Sequence, residues 1–161
     1  MEQWELAARE HVRDLIAHYN LAGDRGWIDD MIALFAEDAV LAVDDVAHEG
    51  REAIRSVFTE ATGPHPELIR HFTATLKIDV VSPDQATARC YFQVLTAQGL
   101  DHWGRYTDRF VRVDGEWRFA QRSVRIDGAT PGGWAELRGY GVRGRTARTG
   151  NGGQAGRHDV P

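Results

Sequence analysis

Cysteine occurs once, at Cys90, in a chain of 161 residues. A single thiol closes no internal disulfide and builds no cysteine-rich metal site, so disulfide-scaffold and zinc-ribbon readings fall away. No apolar run approaches the roughly 20 residues needed to cross a bilayer. The opening Met1-Glu2-Gln3-Trp4-Glu5 has neither the basic nor the apolar stretch of a secretory leader, so the expected location is cytoplasmic and no membrane partner is expected. Histidines and carboxylates nowhere take metal-ligand spacing; His48, Glu49 and His71 come nearest. Neither a metal nor another cofactor is therefore expected. A phosphate-cradling glycine loop is also missing, because Gly139-Tyr140-Gly141-Val142-Arg143-Gly144 copies the dinucleotide spacing without a strand before it or a crossover helix after it.

Positive charge is scarce in most of the chain. The net charge is −5, yet residues 129–161 hold five arginines against Glu136 and Asp159, which leaves −8 on residues 1–128. An acidic body is a poor ligand for phosphate backbones, and nucleic acid is not an expected partner. Glycine is skewed the same way, with ten of 17 in residues 128–161. What is present is ordinary globular material, 42% hydrophobic and 27% charged, enough to build a core. The organisation read from this is one domain over residues 1–128 and a Gly/Arg-rich extension over 129–161, partly disordered. Trp134, Leu137 and Tyr140, spaced by three, predict a short helical turn that folds over a pocket mouth.

Periodicity divides the domain. Residues 3–22 place Trp4, Ala8, Val12, Leu15, Ile16 and Tyr19 on one helical stripe that Gly23 would end. Ile28, Met31, Ile32 and Phe35 mark a second helix, residues 39–43 a short buried strand, and residues 51–62 a third helix with Ile54, Val57, Phe58 and Ala61 inward. From Phe72 to Val80 the period becomes two, with Phe72, Ala74, Leu76, Ile78 and Val80 on one face and His71, Thr73 and Thr75 on the other. Residues 86–97, 101–113 and 116–127 continue as strands, the last pair joined at Asp114-Gly115. Helices followed by an antiparallel meander predict an α+β fold, a curved sheet wrapped around the N-terminal helices with a pocket between them.

The strings Tyr19-Asn-Leu-Ala-Gly-Asp24-Arg-Gly-Trp27, Leu34-Phe-Ala-Glu-Asp-Ala39, Gly50-Arg-Glu-Ala-Ile54, Gly104-Arg-Tyr-Thr-Asp-Arg-Phe110 and Gly115-Glu-Trp117-Arg resemble the SnoaL-like branch of the nuclear transport factor 2-like superfamily. The resemblance implies a cone-shaped α+β barrel with a deep pocket, assembled as a homodimer or homotrimer. It also implies a function drawn from a wide set, because the superfamily hosts dehydratases, dehydrochlorinases, isomerases, cyclases, epoxide hydrolases and non-catalytic subunits. Scytalone dehydratases, bile acid dehydratases and hexachlorocyclohexane dehydrochlorinases pair an Asp after the first helix with a His opening the first long strand. Asp24 and His71 match those positions.

A carboxylate that accepts one imidazole N–H fixes the tautomer and leaves the other nitrogen to take a proton from carbon. Tyr19, five residues before Asp24, would donate a hydrogen bond to a substrate oxygen. The catalytic candidates are thus Asp24, His71 and Tyr19, and the candidate substrate contacts are Tyr91, Tyr106, Thr96, Trp27 and Phe58. The same residues admit a structural reading: Asp24 as N-cap of the second helix, His71 solvated at a strand end, Tyr19 as a core aromatic. Scytalone dehydratases carry a further histidine that, by the same count, falls at Thr96, which argues against that particular activity. Asp44 and Asp45 read as a solvated turn, and His102, Tyr106 and Asp108 share one strand face, with Asp108 pairing Arg109 or Arg122. The activity implied is a cofactor-free lyase or isomerase abstracting a proton beside a carbonyl of a hydrophobic polycyclic or polyketide-like molecule. The alternatives are a non-catalytic ligand-binding or assembly subunit, and an epoxide hydrolase or cyclase.

Overall fold

A computed structural model describes residues 1–59 and 67–140. The order is α1 (Gln3–Arg25), α2 (Ile28–Ala33), β1 (Phe35–Val43), β2 (Val46–Glu49), α3 (Arg51–Thr59), β3 (Ile69–Ser82), β4 (Gln85–Thr96), β5 (Gly99–Val113), β6 (Glu116–Ala129) and α4 (Trp134–Leu137). One six-stranded sheet runs β2-β1-β6-β5-β4-β3. The fold is α+β, as expected, with one departure from an all-antiparallel sheet: β1 lies parallel to β6. A parallel pair needs a long crossover, and here everything from β2 to β5 intervenes.

The stripe of α1 buries Ala8, Val12, Leu15, Ile16, Tyr19 and Ala22 against the sheet. Gly23 does not end this helix. It continues to Arg25, and Gly26 adopts the left-handed conformation, φ 69°, donating to the carbonyls of Ala22 and Gly23. Asp24 therefore stands on the last turn of α1, and the N-cap of α2 is Trp27. The expected helical Phe35 instead opens β1. After the Asp44-Asp45 turn comes β2, exposed and only four residues long, with no alternation in the sequence to announce it. Residues 60–62 of the third expected helix, and 142–161 of the expected disordered tail, lie outside the described residues.

The alternation along β3 breaks in the middle. Thr75 and Leu76 stand opposite the single residue Cys90, between the pairs Ala74↔Tyr91 and Lys77↔Arg89. Thr75 takes a positive φ of 53°. Such a bulge slips the pleat by one residue. Before it, Ile69, His71 and Thr73 turn inward while Phe72 and Ala74 are exposed; after it, Leu76, Ile78 and Val80 turn inward. The expected single apolar face is thus two half-faces, and the slip lets His71 share the interior with Ile78.

Candidate active site

The inward faces of β1, β3, β4, β5 and β6 meet α1, α3 and α4 around a cavity of about 170 Å³. Its walls are mostly apolar, from Leu41, Val43, Val57, Phe58, Val124 and Ile126, with Phe92 stacked at 4.4 Å on Tyr106. Two imidazoles break the apolar surface. His71 Nδ1 lies 2.6 Å from Asp24 Oδ1, and His102 Nδ1 lies 2.8 Å from Asp101 Oδ2. The two rings stand edge to face with centroids 6.4 Å apart.

Each pair follows from its backbone. The last turn of α1 carries Asp24 beside the edge strand β3, where its carboxylate also accepts the main-chain N–H of His71 at 3.2 Å. An ionised carboxylate only accepts, so the facing nitrogen carries the proton and a neutral ring presents Nε2 as a lone pair. His102 is more deeply set, and burial holds it below the ordinary histidine value against the opposing hydrogen bond from Asp101. It is the neutral imidazole at neutral pH.

Two buried phenols, Tyr19 and Tyr106, add to the polar lining, which also includes Arg138 and Tyr140. Burial raises the pKa of both Tyr19 and Tyr106, so each keeps its O–H as a donor. Behind them Arg122, fully buried, donates to both oxygens of Asp108 at 2.9 and 2.7 Å. The Cys90 thiol is pushed up to about 11 by burial and is inert as a nucleophile. Among the described residues, no group of three His, Cys, Asp or Glu is arranged to hold a metal ion, and no helix is long and apolar enough to cross a membrane.

Of the candidates named from sequence, Tyr19, His71, Tyr106 and Phe58 line the cavity and Asp24 backs His71. Tyr91, Thr96 and Trp27 do not. Tyr91 is 59% exposed, because the pleat of β4 turns Cys90, Phe92 and Val94 inward. Thr96 closes β4 and spends its hydroxyl on Gln98. Trp27 sits half exposed in the α1–α2 turn, with Arg25 over its ring. Asp44 and Asp45 form the β1–β2 turn, bonded to Ile126 N–H and Arg125. Sequence reasoning missed Asp101 and His102 as site residues. The available signal was strand parity: His102 shares a face with Tyr106. The short turn expected at the pocket mouth is α4: Trp134, Arg138 and Tyr140 line the cavity, while Leu137 is exposed.

A curved sheet folded around a helix, with acid/base groups in an apolar hollow, defines the class of small α+β barrels with an interior ligand site. The chain belongs to the SnoaL-like domain family, whose model matches residues 4–123. Among solved structures it is similar to a protein of Novosphingobium aromaticivorans DSM 12444 provisionally named a scytalone dehydratase, with TM-score 0.72 and 24% identity over 81% of this chain and 91% of that one. It is also similar to hexachlorocyclohexane dehydrochlorinase LinA-type3 of Novosphingobium barchaimii LL02, with TM-score 0.69 and 21% identity over 79% and 91%. A Mycobacterium tuberculosis protein of unknown function aligns with TM-score 0.67 and 28% identity over 79% and 76%. No curated protein matches the chain.

Proposed function

We propose that this protein is a cofactor-free lyase or isomerase of the dehydratase type, acting on a small hydrophobic carbonyl compound. The observation that carries the reading is the 2.6 Å contact of His71 Nδ1 with Asp24 at the wall of an apolar cavity, with a second imidazole 6.4 Å across. Nε2 of His71 takes the proton from the carbon beside the carbonyl. The C–H electron pair moves onto the carbonyl oxygen, and the phenol of Tyr19 donates a hydrogen bond to the resulting enolate. The electrons then return to expel a hydroxyl group from the neighbouring carbon. That group leaves as water, protonated by the imidazolium at His71 or, after transfer, at His102. Reprotonation at a remote carbon instead gives double-bond migration. Neither course needs an oxidant or reductant.

A cavity of about 170 Å³ falls below the roughly 300–1,000 Å³ of sites for drug-sized ligands. A substrate of one or two rings fits within it, and a larger polycycle would project through the mouth. The non-catalytic alternative requires Asp24 as the cap of α2 and a filled interior, yet Asp24 bonds His71 at 2.6 Å and His71 borders an open cavity. The epoxide hydrolase alternative requires an acid/arginine network at the cavity, and the buried Arg122–Asp108 pair is not part of its wall.

The test is hydrogen–deuterium exchange in D₂O at the carbon next to a carbonyl, read by mass spectrometry across a panel of cyclic β-hydroxyketones, with appearance of the enone product followed alongside. A positioned base contributes about 10²- to 10⁴-fold, so His71→Ala is expected to lose that much on any accepted compound. Full exchange and turnover in His71→Ala would refute the proposal.

A further inference from the structure

Neighbouring residues in a strand normally face opposite sides, yet Asp101 and His102 are both buried. The pairing explains this. Val94 faces His102 and Leu95 faces Leu100, so Asp101 is an extra, bulged residue of β5. The bulge turns its carboxylate, only 2% exposed, toward its own neighbour and toward α4. There Oδ2 accepts from His102 Nδ1 at 2.8 Å and from the Ala135 amide at 3.1 Å, while Oδ1 accepts from the Trp134 amide at 2.6 Å. The backbone is tied as well, since the Thr130 amide donates to the Asp101 carbonyl at 2.7 Å.

Two details make this junction specific. A Cβ on Gly133 would stand 2.8 Å from Asp101 Oδ1 and 2.9 Å from the Thr130 carbonyl, so glycine is what allows the carboxylate to reach two successive amides. The ring of Trp134, whose amide is one of those donors, lies 5.9 Å from the His102 ring. One buried carboxylate thus joins a cavity imidazole to the segment that brings Trp134, Arg138 and Tyr140 to the cavity wall.

We propose that Asp101 is the positioning residue for His102 and that it couples the tautomer of that ring to the seating of α4. With α4 seated, two main-chain amides hold the carboxylate against rotation. It then accepts only the Nδ1–H form of His102, which leaves Nε2 as the lone pair. Without those amides the carboxylate is free to turn and the ring loses its orientation. The cavity wall and the working form of its second imidazole are therefore assembled by one contact. This deepens the lyase reading and rests on it for its chemical meaning, but its test needs no substrate.

The experiment is long-range ¹H–¹⁵N correlation of the histidine rings in the full-length protein above the ordinary histidine pKa, together with amide exchange at Trp134 and Ala135. Wild type is expected to show His102 as Nδ1–H and slow exchange at both amides. Asp101→Asn offers one oxygen to three donors, so His102 shifts toward Nε2–H. The two amides then exchange about tenfold faster, the equivalent of one hydrogen bond. Gly133→Ala keeps the carboxylate but crowds it, and is expected to move the His102 ring and both amides together. His71, held by Asp24, is the control: general loosening would move it too, whereas the proposal leaves it as Nδ1–H in both variants. Nε2–H at His102 in wild type overturns the proposal. So does a Gly133→Ala protein whose amides exchange faster while the His102 ring is unchanged, and these two readings decide the matter even if Asp101→Asn does not fold. Loss of the lyase reading shows separately, as retained turnover in His71→Ala.

Discussion

Arg122 never reaches the cavity wall, yet it packs against two of the phenols that form it. Its guanidinium lies 4.2, 4.1 and 4.4 Å from the ring centroids of Tyr19, Tyr106 and Phe119, and its fork is filled by Asp108. Burial works against the cation, but the Asp108 carboxylate more than offsets it, so the guanidinium stays charged. Removing one partner of such a pair leaves a bare buried charge, which typically costs roughly 3–5 kcal/mol. Asp108→Asn is expected to lose stability on that scale in urea denaturation, and Asp108→Leu combined with Arg122→Met to recover part of it. A loss within about 0.5 kcal/mol, the range of an ordinary surface substitution, would show that the pair is not a structural tie. An arginine partner for Asp108 was legible, with Arg109 and Arg122 both open, as were Asp24 and His71 in the motif spacing. The strand face of His102 was legible too, but its place in the site was not, because counting along the chain from His71 arrives at Thr96. Hairpin pairing, not chain distance, sets His102 beside Val94 and turns it to the cavity.

At the scale of elements, the α1 stripe and the four long strands were legible because their apolar periods are strong. Their ends were harder to read. Gly23 was read as the helix stop, yet the helix runs through it to Gly26, and the added turn carries Asp24 to β3. In β3 the pattern from Phe72 to Val80 satisfies a period of two without interruption, so nothing in composition signals the bulge. The energetic signature lies at Thr75, a β-branched residue at φ 53°. That conformation costs an L-residue about 1–2 kcal/mol, against about 0.5–1 kcal/mol of extra unfolded-state freedom for glycine. Thr75→Gly is therefore expected to leave the fold intact and raise stability by up to about 1 kcal/mol, measured as a higher thermal midpoint. A clear fall in that midpoint would mean that the threonine side chain, not the bend, holds the bulge.

Across the whole molecule, the division into an acidic domain and a Gly/Arg-rich extension follows charge, whereas the cavity draws residues from both sides of it. The docking of the chain from 129 to 140 depends on main-chain amides that no hydropathy pattern records. The same docking burial shapes how the molecule responds to pH. His102 titrates below the ordinary 6.5 once folded, chiefly because it is removed from water. Between its folded and unfolded values the unfolded chain binds a proton that the folded chain does not, so this residue makes stability fall as pH drops through about 6.5. The loss levels off below the folded value, and above 6.5 the residue contributes no pH dependence. Comparing wild type with His102→Gln by denaturant unfolding at a series of pH values isolates this effect, since every other titrating group is common to both. The stability difference is expected to be constant at high pH and to move in favour of the variant as pH falls. A difference that stays flat down to the acid-unfolding range, or moves toward wild type, would mean that His102 is not held neutral in the folded molecule.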